Sequence, residues 1–262
     1  MEALTDFFAP MRRRRLPAID AQASPAALTV VAGVQESAAE RAYRRLEEAI
    51  VTMELQPGAV VSEAYLSELS GLGRGPVRDA VRRLAVEHLL VVCPKKGIRI
   101  TEIDAFAQLR LLEVRQELER LAFCSAARRT TAEQRACFAV LGADFRKAAE
   151  AGDELLFIRT DKVFNDLSRR CARNEFTEGS LLLIQGLSRR FWFRYFRQFD
   201  MLRTSACHHA DVAEAIASGD ARATAEAIDR LSAGACDFAQ RVGEHESGRT
   251  LALKKTGKQP SK

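Results

Sequence analysis

The most informative part of the sequence is the stretch GLGRGPVRDAVRRL, residues 71–84. Two glycines around one leucine predict a tight turn, and the apolar residues within 77–84 recur at the spacing of one helical face. A helix is expected to open near Pro76, because the missing N–H of proline needs no partner at a first helical position. Arg74 and Arg78 are four residues apart, so they share the face opposite the apolar one.

The pattern around this helix changes within a few residues at a time. It predicts a helix around 42–53 that stops at Pro57-Gly58, a short helix at 63–69 capped by Ser62, and two strands at 89–93 and 98–101. A short helix, a tight turn, a second helix and a β-hairpin follow one another in a winged helix-turn-helix. In that fold the second helix enters the major groove of DNA.

Several basic residues lie where such a domain meets DNA. Arg74, Gly75 and Arg78 open the second helix, where an arginine can bond guanine O6 and N7 together. The hairpin tip would place two ammonium groups near phosphates, and its glycine would let the backbone approach closely; the tip residues are Lys95, Lys96 and Gly97. Arginine spacing alone favours an alternative, a solvated charged face with a basic turn.

The stretch from 42 to 84 resembles the DNA-binding domain of the GntR family of regulators. Pro57-Gly58, Ser62-Glu63 and the Arg-x-Pro-Val-Arg pattern at 74–78 fall together at the offsets of that family. The resemblance implies that Arg74 and Arg78 contact bases and that the tip at 95–97 supports them; Arg44, inside the same stretch, is assigned to DNA as well. Three residues depart from the family pattern: Gly73 and Gly75 replace hydroxyl residues, and His88 replaces a glycine.

From residue 104 to 242 the sequence is a succession of amphipathic helices. We expect six, at roughly 105–128, 131–150, 153–172, 175–199, 205–218 and 220–242. Gly152-Asp153 and Gly219-Asp220 predict breaks at which an aspartate caps the next helix. The fold class is therefore mainly α: a winged helix-turn-helix at 37–103, then an all-α antiparallel bundle that encloses a pocket.

The second region resembles the FCD ligand-binding domain of the FadR subfamily. The resemblance rests on three segments: 112–119, 161–165 and 209–220. Many such domains bind a divalent metal through one aspartate and three histidines. Asp161 and His209 match that set, whereas Asn165 and Leu231 stand at the other two positions. Two strong ligands and a weak amide are a poor set, so we expect no tightly bound metal. A metal-dependent regulator that uses Asp161 and His209 is the alternative.

The resemblance also implies that Arg115 points into the pocket. Its guanidinium could hold a small carboxylate effector in bidentate fashion, with Asp161, Asn165 and His209 as polar partners. The alternative is a surface ion pair between Arg115 and Glu119, because residues four apart on a helix commonly pair.

The composition of the sequence indicates the cellular compartment in which we expect the protein. The 262 residues carry a net charge of +5 and six scattered cysteines, which fits a reducing cytoplasm. A run of about 20 apolar residues is missing, so no membrane span is expected. Residues 1–36 are expected to form a disordered leader, and residues 243–262 a flexible basic tail.

Together these patterns predict a transcription regulator, and we expect a repressor. It would bind a double-stranded DNA operator as a homodimer, because two-fold symmetry doubles the base pairs that one short helix reads. A helical enzyme is a weaker alternative, since the sequence holds no glycine-rich phosphate loop, nucleophile elbow or HExxH motif. A protein-binding adaptor would leave the Arg-x-Pro-Val-Arg turn and the basic hairpin unexplained.

Overall fold

The computed structural model describes residues 37–255, with side chains described as far as residue 248. The leader expected at 1–36 and the last seven residues lie outside the described part of the chain. Within it the chain forms a winged helix-turn-helix followed by a helical bundle, so the predicted fold class is confirmed. Among the helices from residue 37 to 255, none combines the length and the hydropathy that crossing a bilayer requires.

The N-terminal domain contains three helices and a small antiparallel sheet. In order they are α1 (Ala38–Val51), β1 (Val60–Val61), α2 (Glu63–Ser70), α3 (Arg74–Val86), β2 (Leu90–Cys93) and β3 (Gly97–Ile100). The sheet order is β1-β3-β2, and Val92 lies opposite Ile98. Ser62 caps α2 as predicted, since its Oγ accepts from the Tyr65 N–H at 3.1 Å. Apolar residues from all three helices and both hairpin strands fill the core.

Helix α3 begins two residues earlier than predicted. It opens at Arg74 rather than near Pro76, and Gly73 is its N-cap, with no side-chain hydrogen bond. Pro76 is still tolerated, because the first N–H groups of a helix have no intrahelical acceptor. The glycine at the N-cap therefore leaves the first turn of α3 without the side-chain cap that a hydroxyl residue would supply.

The C-terminal domain consists of six long helices. They are α4 (Ala105–Arg129), α5 (Ala132–Ala151), α6 (Glu154–Cys171), α7 (Glu175–Tyr195), α8 (Leu202–Ser218) and α9 (Ala221–Lys255), with a 3₁₀ turn at Phe196–Phe199. Helix α5 packs mainly on α8, and α4 mainly on α9. Phe123, Phe138 and Phe145 surround Phe164 in the core, with ring centroids 5.2 to 6.1 Å apart. Edge-to-face packing of this kind stabilises the bundle beyond the area it buries.

Helix α9 continues past residue 242, where the sequence predicted that the last helix would end and the basic tail begin. The backbone stays helical to Lys255. Phe238, Ala239 and Val242 are buried in a cluster with residues of α4 and α7. Beyond residue 242, Gly243 is buried and the ring of His245 lies 6.0 Å from that of Phe199. These contacts favour the longer helix, because most helical stability in proteins comes from a buried face rather than from propensity.

Helix α7 carries several of the contacts that join the two domains. A Cβ added to Gly186 would lie 2.9 Å from Cδ1 of Leu89, so the absence of a side chain there admits Leu89 of the first domain. One turn later Arg190 donates to the carbonyl oxygens of Thr101 at 2.8 Å and Glu102 at 3.0 Å. The chain segment between the domains is therefore fixed to α7.

Candidate DNA-binding face and ligand pocket

The start of α3 presents an exposed basic face. Arg74, Gly75 and Arg78 are all exposed, while Val77 and Leu84 on the other side are buried. A Cβ added to Gly75 would meet nothing within 4 Å, so the surface is open there. This part of the helix is free to approach a large partner.

Arg78 is oriented by a carboxylate of α2. Its Nε donates to Oε2 of Glu63 at 2.8 Å. Because this bond uses Nε, the two terminal amino groups of Arg78 remain for another acceptor. Two parallel donors of this kind match the O6 and N7 edge of guanine.

The hairpin tip brings Lys95 and Lys96 to the surface, both exposed. Gly97 has a φ of +102°, and a Cβ there would lie 2.8 Å from the carbonyl oxygen of Val61. Gly97 is therefore required for the close approach of β3 to β1. That is a different reason from the one the sequence suggested, which was close approach to DNA.

Arg44 is placed differently from the other basic residues. It is half-buried on α1, whereas Arg74, Arg78 and both lysines of the hairpin are exposed. The sequence analysis assigned all five basic residues to DNA, but Arg44 does not share the exposure of the other four.

A cavity of about 70 Å³ lies inside the helical bundle. It is bounded by α4, α6, α7, α8 and α9, and its wall brings together Arg115, Asp161 and His209. Asn165 lies behind Asp161, outside this wall. Apolar side chains form much of the remainder: Leu112, Phe157, Phe191, Trp192, Met201, Leu231 and Phe238.

Arg115 shows one part of each interpretation made from the sequence, because it lines the cavity and also pairs with Glu119. Its Nε donates to Oε1 of Glu119 at 2.7 Å, which is the expected pair between residues four apart. The pair is buried rather than superficial, with the two side chains 13% and 5% exposed, and both residues line the cavity. In the described chain Glu119 is the one hydrogen-bond partner of Arg115, so its terminal amino groups are open to a ligand.

Asp161 interacts with three polar side chains in or beside the cavity wall. It accepts from Nδ2 of Asn165 at 2.8 Å and from Nε of Arg189 at 3.0 Å. Nε2 of His209 lies 3.3 Å from the same carboxylate. Burial opposes ionisation of Asp161, but His209 and Arg189 outweigh it, so the pKa of this carboxyl lies below its ordinary value.

His209 is held in a fixed orientation. Its Nδ1 donates to the carbonyl oxygen of Ser205 at 2.7 Å, which leaves Nε2 facing Asp161. The rings of Phe145 and Phe157 enclose it, with centroids 5.2 and 5.3 Å away.

The donor set does not fit the divalent metal that the resemblance implied. Residues 37–248 contain no group of three histidine, cysteine or acidic side chains placed to hold one ion. Leu231 supplies no ligand atom, and Asn165 is committed to Asp161 and to Nε2 of Gln185 at 2.9 Å. A guanidinium, that of Arg189, lies against the carboxylate that would have to lead the coordination.

Arg189 is the residue of this site that the sequence analysis missed. Its side chain is only 6% exposed, and it pairs with Asp161 and with Glu47 of α1. The available signal was an adjacent pair of arginines inside the largely apolar segment 181–196. Charged residues are almost never buried unless they are paired, so such a pair predicts buried acidic partners.

Two family matches cover most of the described chain. Residues 38–100 match the family described as "Bacterial regulatory proteins, gntR family", and residues 110–233 match the "FCD domain". They coincide with the winged domain and with the bundle that encloses the cavity.

Individual proteins show the same similarity over shorter stretches. An HTH-type transcriptional regulator in an unstable DNA locus of Streptomyces ambofaciens is 40% identical over 62 residues, 24% of this chain and 26% of that protein. The HTH-type transcriptional repressor GlaR of Escherichia coli K12 is 29% identical over 79 residues, 30% of this chain and 36% of that protein. The chain therefore spans about a quarter to a third of these relatives.

A solved structure extends the likeness to both domains. E. coli McbR/YncC superposes with a TM-score of 0.64 at 20% identity, covering 79% of this chain and 99% of that one, which shows a shared fold. With both family matches in chain order, this chain belongs to the GntR family of bacterial regulatory proteins and joins its DNA-binding domain to an FCD domain.

Proposed function

We propose that the protein is a cytoplasmic transcriptional repressor whose binding to an operator is controlled by a small organic acid in the FCD cavity. The observation that carries the DNA-binding part is the exposed pair of arginines at the start of α3, one of them oriented by Glu63. In a winged helix-turn-helix these positions face the base edges of the major groove.

The N-terminus of α3 and the neighbouring hairpin are also suited to contact the phosphate backbone of DNA. Gly73 caps the helix without a side-chain hydrogen bond, so N–H groups of the first turn remain for a phosphate oxygen. Lys95 and Lys96 add two exposed charges at the tip of the hairpin formed by β2 and β3. Contacts to phosphates position the protein, and contacts from Arg74 and Arg78 to base edges give it sequence preference.

The cavity favours a ligand with one carboxylate and an apolar remainder. Arg115 offers its two terminal amino groups, which suits bidentate binding of a carboxylate. The other charged groups in the wall include the acidic Glu119 and Asp161, which would repel a second carboxylate. The apolar wall formed by residues such as Leu112 and Phe238 would pack on the rest of the acid. We propose that this site works without a bound metal.

The same proposal includes repression of transcription and binding of the operator as a homodimer. GlaR, which is similar to this chain over 79 residues, is named a repressor. One α3 reaches only a few base pairs, so a homodimer on a near-palindromic operator supplies the information that a specific site needs.

Selection of duplexes from a randomised library by the full chain tests the proposal. We expect an enriched, near-palindromic sequence that carries two chains per duplex in native mass spectrometry. Affinity should fall steeply with salt, because arginine and lysine displace counterions from phosphates. Lys95→Ala should weaken binding to enriched and random duplexes alike and reduce the salt slope by about one unit. No enrichment of any sequence, or one chain per duplex, would contradict the proposal.

A further inference from the structure

Arg189 is the one side chain of residues 37–248 seen both in the cavity wall and bonded to the DNA-binding domain. Its Nε donates to Oδ2 of Asp161 at 3.0 Å, and Nη1 donates to the carboxylate of Glu47 on α1. Nη2 donates to the carbonyl oxygen of Ile158 at 2.8 Å. A single buried cation is therefore shared between an acid of the cavity and an acid of the first domain.

The two acids depend on Arg189 to different degrees. Asp161 also accepts from Asn165 and faces His209. Glu47 is only 3% exposed, and in the part of the chain that the structure describes Arg189 is its hydrogen-bond partner. A buried carboxylate that loses its partner is strongly unfavourable. A small displacement of the guanidinium toward the cavity would therefore affect α1 more than Asp161.

We propose that Arg189 transmits the occupancy of the cavity to α1 of the DNA-binding domain. This inference rests on the proposed function, since it names how that site is regulated. An anion that enters the cavity adds negative charge on one side of the guanidinium and draws it away from Glu47. Because the pair is buried in a low dielectric, the change in attraction is large compared with that of a surface pair. Helix α1 is then held less firmly against α7.

Other contacts between the domains serve as fixed attachments. Arg190 donates to backbone carbonyl oxygens at 101 and 102, and Nη2 of Arg159 bonds Oε1 of Glu48 at 2.8 Å. Neither arginine belongs to the cavity wall. They keep the domains together whether or not the bond between Arg189 and Glu47 is strong, so this bond can change without separation of the domains.

Hydrogen–deuterium exchange of the full chain, measured without DNA or ligand, tests the coupling between the cavity and α1 through Arg189. Its result is therefore independent of the proposed function. Asp161→Asn removes the charge that competes with Glu47 for Arg189. We expect the amides of α1 to exchange about three- to tenfold more slowly, relative to amides of α5, because protection reports local opening. In a Glu47→Gln background the same substitution should have no effect on α1.

Glu119→Gln is the matched control. It neutralises another buried carboxylate of the same cavity, but one that is bonded to Arg115 instead of Arg189. Exchange in α1 should stay within about twofold of the wild type, a margin set by the small local free-energy change expected. Unchanged or faster exchange of α1 in Asp161→Asn, or an equal effect of Glu119→Gln, would overturn the proposal.

A second measurement perturbs α1 and observes the cavity, so it can be made even where Asp161→Asn does not fold. The single tryptophan, Trp192, lines the cavity one turn after Arg189. Since coupling between two sites is reciprocal, Glu47→Gln should change acrylamide quenching of Trp192. Glu48→Gln, the same change one residue along α1 but bonded to Arg159, should leave quenching unchanged. Equal quenching in the two variants would contradict the link.

Discussion

Arg78 of α3 and Glu63 of α2 are joined by a hydrogen bond of 2.8 Å between Nε and Oε2, so the two helices of the helix-turn-helix are linked at their exposed ends. An arginine side chain loses conformational freedom when it binds a base. Glu63 restricts that freedom before DNA arrives. The carboxylate of Glu63 thus positions Arg78, which we propose contacts a base.

Glu63→Gln should therefore lower sequence preference. Loss of the charge-assisted hydrogen bond leaves Arg78 free to adopt other conformations. The difference in binding free energy between operator and random DNA should therefore fall by about 1 kcal/mol, the typical contribution of one such hydrogen bond. Competition anisotropy with both duplexes measures the ratio of the two affinities. Glu68→Gln is the matched control, because Glu68 is an exposed acid of α2 with no bond to Arg78. Both variants remove one negative charge, so a ratio lowered equally by both would argue against a positioning role.

Small monocarboxylates should raise the melting temperature of the protein through Arg115. At a ligand concentration a hundredfold above Kd the stabilisation is about 2.7 kcal/mol. Benzoate and isovalerate are suitable probes, with benzamide and citrate for comparison. Arg115→Ala should weaken binding about 10- to 150-fold, because a charge-assisted hydrogen bond to the carboxylate is lost.

The control for that experiment is Arg110→Ala, which removes an exposed arginine from the same helix. It should leave the thermal shifts unchanged. Equal stabilisation by benzamide and benzoate, or a full response in Arg115→Ala, would show that the cavity does not recognise a carboxylate through this residue.

Protein purified without chelators should contain far less than one equivalent of zinc or nickel per chain. The physical reason is the guanidinium of Arg189 on Asp161 together with the apolar Leu231 in the cavity wall. Elemental analysis by mass spectrometry provides the measurement. One equivalent of metal that disappears in His209→Ala would require His209 and Asp161 to coordinate an ion despite the arginine.

Cys236 offers a pH-dependent probe of the cavity, because it lies in the wall. Burial raises the pKa of its thiol above the ordinary value, so little thiolate exists near neutral pH and alkylation is slow. Labelling by iodoacetamide should therefore accelerate as the pH rises through the raised pKa of this thiol. Burial raises the pKa of Cys171 to about 12, so Cys171 should stay unlabelled in the native protein.

Benzoate should protect Cys236 if it occupies the cavity. Cys93, at the end of β2, is the internal control, and its labelling should not respond to benzoate. Peptide mass spectrometry distinguishes the sites. Protection of both cysteines to the same extent would indicate a general effect of the salt.

The sequence predicted those features that depend on neighbouring residues. The turn at Gly71, the cap at Ser62 and the amphipathic face of α3 are local patterns, and all three are present. The strand β1 has two residues, too few for an alternation, and only its pairing with β3 defines it. Arg189 was missed because its two acidic partners lie 28 and 142 residues away in the chain.

The most direct test of base contact by α3 is the specificity ratio of Arg78→Ala. The affinities of wild type and variant for the enriched operator and for a shuffled duplex are measured at one fixed salt concentration. We expect a loss of about 1–3 kcal/mol on the operator and a much smaller loss on the shuffled duplex. Equal losses on the two duplexes would contradict base contact, since Arg78 would then contact only the phosphate backbone.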